Sequence, residues 1–356
     1  MGRKSSKAES RPDVLIGLVG AAGRSLAMVE SKGTRHVLEF GPLAMRVNRD
    51  LQADLEHAFH AIALRLKLRS VAELASNTRS ACVAMSGIFD DSEKRVIRRF
   101  LTEMCFADDQ VNVCEDVCAT MAAHRIDYGG LITVSTGSNV AFFASLQKYV
   151  SVGCWGSELA DQGSGYYLGR EALIRIIDSK DGRRSATDTF KNEVLQHLGL
   201  AREQEIVHWF YEVRDTNFWR KRIADIAIVI SHLAKTGDTT ARQILECGRA
   251  EIIKSVKAGL DAAARSCLKD PSRNSESPLQ IVLAGALAKQ RDCYRNVIIK
   301  EVERFFNAFQ THAYPDSHAP LAAGFTIIDK PVKAEEGALT IAKCARSFRQ
   351  DKGRIS

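Results

Sequence analysis

The chain has 356 residues, 45% hydrophobic and 26% charged, which is ordinary globular usage. That length supplies about two domains of roughly 100–200 residues each; it excludes a small disulfide scaffold, and the composition excludes a wholly disordered or collagen-like chain. Fifty basic residues against 43 acidic ones leave a net charge of +7.

Part of that excess sits at the ends, in Arg3, Lys4, Lys7 and Arg11, and in Arg346, Arg349, Lys352 and Arg354. Without interleaved aromatics these read as solvated tails, so no nucleic-acid partner is expected. No window reaches about 18 uninterrupted apolar residues, so no membrane span is expected. The opening MGRKSSKAESRP lacks the apolar core of a secretory signal. It fits the myristoylation pattern only formally, by a short match. Nine scattered cysteines, with no such signal, point to reduced thiols in a cytoplasmic protein. Cys114 and Cys118, one helical turn apart, do not close a tetrahedral metal site by themselves. His57 and His60 lack the H-E-x-x-H arrangement, so no metal site is expected.

After a basic tail over 1–12, Val14–Val19 is a short apolar run that breaks at Gly20-Ala21-Ala22-Gly23 and resumes at Arg24–Val29. This predicts strand, small-residue turn, strand. Val37–Phe40 is a third strand ending at Gly41-Pro42. Leu51, Leu55, Phe59, Ile62 and Leu66 recur at helical spacing. Ala81–Met85 reads as a buried strand, and Asp90-Asp91-Ser92-Glu93 as an acidic helix start. The pattern then restarts. Leu131–Val134 is a strand, Ser135-Thr136-Gly137-Ser138-Asn139 a polar turn, Val140–Phe143 a return strand and Tyr149–Val152 a third. From about 165 to 270 the chain reads as mostly helical, with a C-cap at Lys235-Thr236-Gly237-Asp238 after the apolar run 223–234. Leu279–Leu283 is a last core strand entering Ala284-Gly285-Ala286.

One unit therefore occurs twice, the second time with a large helical insertion. The expected class is α/β with two similar domains facing each other across a cleft. Turns of small residues expose backbone N–H groups that suit phosphate. Their recurrence at Gly20–Ser25 and at Ser135–Ser138 makes both candidates to approach one ligand.

The run Val134–Asn139, then Gly153-Cys154-Trp155-Gly156, then Ala160-Asp161-Gln162-Gly163-Ser164-Gly165, resembles the N-acetylglucosamine kinase and BadF-type ATPase family, which writes GTGSN, GGWG and GDEGS there. The likeness continues in Glu115-Asp116, in Ala234–Asp238, in Val282–Gly285 and in Glu336–Leu339, over most of the chain. It implies duplicated actin-like (ribonuclease H-like) ATPase domains. They are expected at 13–124, with a closing helix over 335–350 packing back on it, and at 125–334. It also implies ATP with Mg²⁺, and phosphoryl transfer to an amino-sugar hydroxyl. A homodimer is a candidate assembly.

Residue by residue, the resemblance makes Asp116 the catalytic base. Asp161, with Gly163 leaving room beside it, contacts the sugar, and Trp155 stacks on it or belongs to the core. Gly20, Arg24, Ser25, Ser135, Thr136, Gly137, Ser138 and Gly285 line the nucleotide. The chain also departs from the pattern. The acidic residue that opens the family's first turn is Val19, two of its three glycines are Ala21 and Ala22, and its threonine is Gly23. The family's sugar-contacting asparagine falls near Ala44, with Asn48 a late substitute. A non-catalytic ligand-binding or regulatory relative, and an iron–sulfur activator for which no cysteine set stands out, remain as other readings.

Overall fold

A computed structural model describes residues 12–21, 24–45, 50–88, 90–214, 216, 218–266, 278–310 and 325–344. Chain contacts divide it into two compact units, residues 1–123 with 333–356, and residues 124–332.

The first unit opens with β1 (Val14–Gly20), β2 (Ser25–Ser31) and β3 (Thr34–Phe40), an antiparallel meander. Helix α1 (Leu51–Arg65) follows, started by Asp50, whose carboxylate accepts from the Ala53 N–H at 3.0 Å; such a cap satisfies an amide that the helix leaves open. It buries Leu55, Ala58, Phe59 and Ile62 along one face. Next come α2 (Val71–Asn77), β4 (Thr78–Met85), α3 (Asp91–Glu103), β5 (Val111–Glu115) and α4 (Asp116–Ala123). Asp90 caps α3 through the Ser92 and Glu93 amides.

The second unit repeats the opening with β6 (Gly129–Val134), β7 (Ser138–Ser145) and β8 (Lys148–Gly153). Its helical insertion comprises α5 (Gly165–Lys180), α6 (Asp188–Leu198), α7 (Glu205–Arg214), α8 (Trp219–Ala224), α9 (Ile226–Thr236) and the long α10 (Thr239–Ser266). The apolar run at 223–234 is divided between α8 and α9, and α9 ends at Gly237 with φ +104°. Strand β9 (Leu279–Ala284), α11 (Ala286–Lys289), a π-turn, α12 (Asn296–Gln310) and β10 (Phe325–Ile328) complete this unit, and α13 (Ala334–Lys343) returns to the first.

Among the described residues each unit holds one five-stranded sheet, ordered β3-β2-β1-β4-β5 and β8-β7-β6-β9-β10. In both, the first three strands are antiparallel and the fourth and fifth join in parallel. The duplicated α/β fold expected from the repeated pattern is therefore present. Each unit has its own apolar core, one around Leu18, Phe59 and Val83, the other around Phe142, Ile230 and Tyr294.

Helix α13 seats on α4 and β1 because glycines admit it. A methyl at Gly337 would stand 1.8 Å from the Ala119 carbonyl, and one at Gly17 would stand 2.2 Å from the Leu339 nitrogen. No helix among the described residues is long and apolar enough to cross a membrane.

Candidate functional site

In the first unit the register sets Gly20 beside Met85, and Met85 beside Glu115. The carboxyl ends of three parallel-running strands thus form one row, and Asp116 follows immediately at the start of α4. In open α/β sheets ligands bind at such ends. Burial raises the Asp116 pKa from 3.8 to about 6, the charge of Glu115 adds to the rise, and bonds from the Val117 and Asp116 amides oppose it. Desolvation disfavours the charged form because protein screens it less well than water.

The β1–β2 turn lies on the same side. Its backbone is tied down by bonds from Leu43 N–H to the Ala21 carbonyl at 3.0 Å and from Ser86 N–H to the Gly20 carbonyl at 2.9 Å. Ser25 is fully buried, and its hydroxyl accepts from the Ala21 N–H at 3.2 Å. That hydroxyl closes its own turn. Arg24 is exposed and lies 3.5 Å from Glu39. Val19 pairs with Leu26 and Ala84 inside the sheet, and Ala44 is buried. Ala22, Gly23, Asn48, the basic tails and the end of the closing helix at 345–350 lie outside the described residues.

In the second unit the β6–β7 turn is braced from several sides. Ser135 N–H donates to the Gly137 carbonyl at 2.8 Å. The carbonyls of Ser135 and Thr136 accept from the first amides of α5, Gly165 N–H at 2.7 Å and Tyr166 N–H at 3.1 Å. Ser138 donates its amide to Asp161 Oδ1 at 3.1 Å and its hydroxyl to the Gln162 carbonyl at 3.0 Å. The other oxygen of Asp161 accepts from Arg220 Nη2 at 2.7 Å, with the carboxylate only 4% exposed. Burial raises the Asp161 pKa against the opposing pull of Arg220 and of the Ser138 amide. Asp161 has φ +60°, a left-handed turn conformation that aspartate tolerates better than most residues.

Two glycines have steric reasons of their own. The space expected to be open beside Gly163 is filled by α10: a methyl there would lie 2.5 Å from the Gly248 carbonyl, and φ is +76°. The Gly163 carbonyl accepts from the buried Tyr294 hydroxyl at 2.6 Å. A methyl at Gly285, where φ is +86°, would lie 2.3 Å from the Val134 carbonyl and 3.0 Å from Ser135 Cβ. The structure therefore gathers Ser135, Thr136, Gly137, Ser138, Asp161, Gly163 and Gly285 in one neighbourhood. Gly20, Arg24, Ser25 and Asp116 lie along the strand ends of the first unit. Trp155 is 66% exposed, so it is not a core residue.

Arg220 and Tyr294 escape a reading of the sequence, since each reaches its partner across 59 and 131 residues. Cys114 and Cys118 do not share a helix: one lies in β5 and the other in α4. Cys114 Sγ stands 3.9 Å from Cys82 Sγ. Among the described residues no group of three or more His, Cys, Asp or Glu could hold a metal ion.

No family model matches the chain. It is 22% identical over 324 residues to the N-acetyl-D-glucosamine kinase of Dictyostelium discoideum, an alignment that covers 87% of this chain and 98% of that one. It is 20% identical over 245 residues to the N-acetylmuramic acid/N-acetylglucosamine kinase of Clostridium acetobutylicum, covering 68% and 78%. Among solved structures it resembles a candidate N-acetylglucosamine kinase from Chromobacterium violaceum, with a TM-score of 0.61 at 17% identity over 93% of this chain and 99% of that one. The chain is thus similar to N-acetylglucosamine kinases in sequence along most of its length, and to a candidate member in fold.

Proposed function

We propose that the protein is an ATP-dependent kinase that phosphorylates a hydroxyl of an amino sugar, N-acetylglucosamine or a close relation. The observation that carries the reading is Asp116, a carboxylate at the start of α4, directly after β5, whose pKa is pushed up to about 6. It is a stronger base than an ordinary aspartate, yet mostly ionised at neutral pH. In this role it accepts the proton of the sugar hydroxyl as the phosphoryl group arrives in line. Most of the acceleration in such chemistry comes from positioning and charge stabilisation rather than from the base.

The Ser135–Ser138 turn takes the phosphates, and Gly285 keeps the neighbouring backbone clear of side chain for the nucleoside. Asp161 holds that turn through the Ser138 amide. Each of its oxygens has a second lone pair, which leaves acceptor capacity for sugar hydroxyls. Mg²⁺ neutralises phosphate charge when it is present. With Val19 in place of a carboxylate and no acidic cluster among the described residues, the ion arrives as part of the MgATP substrate. Both curated relatives carry N-acetylglucosamine kinase names, which supports the acceptor class. A reducing compartment such as the cytoplasm suits the buried thiols of Cys82, Cys114 and Cys293, none of which forms a disulfide.

The test is ADP release over a panel of amino sugars, with Asp116→Asn as control. Sugar-dependent turnover that drops by orders of magnitude in the variant is expected. No turnover on any amino sugar, or equal turnover in the variant, overturns the reading. Val19 and the engaged Ser25 hydroxyl favour a second reading, a sugar-binding protein without transferase activity. Calorimetry showing sugar binding and no MgATP binding would select it.

A further inference from the structure

Asp161 does not set its own position. Its backbone takes a left-handed turn at φ +60°, and its carboxylate is gripped at both oxygens, by the Ser138 amide at 3.1 Å and by Arg220 Nη2 at 2.7 Å. It also lies against the bare backbone of Gly137, where a methyl would stand 3.0 Å from Oδ1 and 3.1 Å from Oδ2. A cavity of about 470 Å³, walled by Arg170 and Arg214, takes in Ala160 and Gln162, the neighbours of Asp161 in sequence. Its size is within the roughly 300–1,000 Å³ of small-molecule sites.

Close packing brings the partner arginine there. Arg220 stands in α8, which is pressed onto α5 at two glycines. A methyl at Gly169 would stand 1.9 Å from the Ile223 carbonyl, and one at Gly165 would stand 3.2 Å from Ala224 Cβ. Arg220 precedes Ile223 and Ala224 by three and four positions, so it shares their face of the helix. Trp219 fixes the start of α8: it meets Tyr166 of α5 edge-on at 5.5 Å, and the Arg214 guanidinium lies 5.2 Å from its ring centre.

The pair is not built as a closed structural brace. Arg220 Nε is buried with no hydrogen-bond partner among the described residues. Unmet buried donors are costly, so natural structures hold few of them, and departures of this kind concentrate at functional sites. Arg220 also opposes the burial that raises the Asp161 pKa, which favours the ionised, acceptor-only carboxylate.

We propose that Arg220 is a positioning residue for the acceptor: it turns the Asp161 carboxylate so that a remaining lone pair meets one hydroxyl of the sugar, and so makes that hydroxyl a requirement for binding. This role rests on the kinase reading for the identity of the acceptor, and binding tests it apart from phosphoryl transfer.

The probes are N-acetylglucosamine and its 3-deoxy, 4-deoxy and 6-deoxy analogues. Each is measured by calorimetry without nucleotide on the full chain, on Arg220→Gln, on Arg220→Lys and on Asp161→Asn. In the parent, one analogue should bind about tenfold or more weakly than the intact sugar, as loss of a hydrogen bond to a charged group requires. In Arg220→Gln that ratio should shrink to about threefold or less while the other two ratios stay as in the parent. Arg220→Lys keeps the charge and loses the planar fork, so it should hold an intermediate ratio. Asp161→Asn should shrink the ratio of the same analogue. If Arg220→Gln is too unstable to measure, Arg220→Lys decides by the same ratios. Affinity for all four sugars falling by one common factor marks a purely structural pair and overturns the proposal. So does a parent that tolerates every analogue, or an Asp161→Asn effect on a different hydroxyl. The selective loss without turnover on any sugar sinks the kinase reading and leaves the role of Arg220 in binding standing. Turnover with a uniform loss does the reverse.

Discussion

Replacing Asp116 by asparagine separates the cost of a buried carboxylate from its use. The folded chain holds this group at a pKa of about 6 against 3.8 in water. The native state therefore binds its proton more tightly than the unfolded state does. The stabilisation is complete below pH 3.8 and is lost as the pH rises towards 6. At about 1.36 kcal/mol per unit, the ionised group costs roughly 3 kcal/mol at pH 8 and only a small fraction of that at pH 4. Asparagine has nearly the same shape and no charge. The variant should therefore exceed the parent in stability by that amount at pH 8, with the advantage shrinking by pH 4. The assay is urea unfolding followed by far-UV circular dichroism, with amide hydrogen exchange at β4 and β5 as the local measure. Tryptophan fluorescence alone would miss the effect, since Trp155, Trp209 and Trp219 all lie in the second unit. Stability that is equal at both pH values, or an asparagine variant weaker than the parent at pH 8, refutes the desolvated carboxylate. With it would go the reason for singling out this group as a base.

Activity should show the same group from the other side. The logarithm of kcat/KM should climb with unit slope and level off near pH 6 rather than near pH 4, as a base raised by burial requires. Arg220→Met leaves the Asp161 carboxylate buried without its partner, and unpaired buried charges cost about 3–5 kcal/mol. Adding Asp161→Asn to that variant should restore much of the loss, as melting curves of the double mutant would record. Gly285→Ala meets the Val134 carbonyl at 2.3 Å in a left-handed conformation, a combination expected to cost about 1–3 kcal/mol. Its MgATP affinity by calorimetry should fall as well. Gly337→Ala drives a methyl to 1.8 Å from the Ala119 carbonyl and should loosen α13, seen as faster hydrogen exchange in α4 and β1.

Much of the frame is legible in local sequence. Apolar runs ended by small residues mark β1 and β6, and the spacing of Leu55, Phe59 and Ile62 marks α1. The repetition of strand, turn, strand, strand is visible because a period of two needs only near neighbours. The candidate base is singled out in sequence only by the resemblance at Glu115-Asp116; the strand before it, β5, has no place among the expected elements. The short strand β10 and helix α2 carry too few periodic positions to stand out.

Other features exist only once the chain is folded. Asp161 reads in sequence as a sugar ligand, and nothing there shows that its two oxygens also hold Ser138 and Arg220, the latter 59 positions away. Gly163 reads as a glycine making room for a sugar, and the room belongs to α10. Ser25 reads as a phosphate-facing hydroxyl and is instead buried in its own turn. A periodic pattern records which face of an element is apolar. It does not record which distant side chain arrives at that face, because that depends on packing shape and on satisfying each buried polar atom. The recurring strands and the two small-residue turns thus follow from the order of residues. The bracing of the phosphate turn, the pKa of Asp116 and the arginine-walled cavity arise from desolvation and close approach, which only tertiary packing produces.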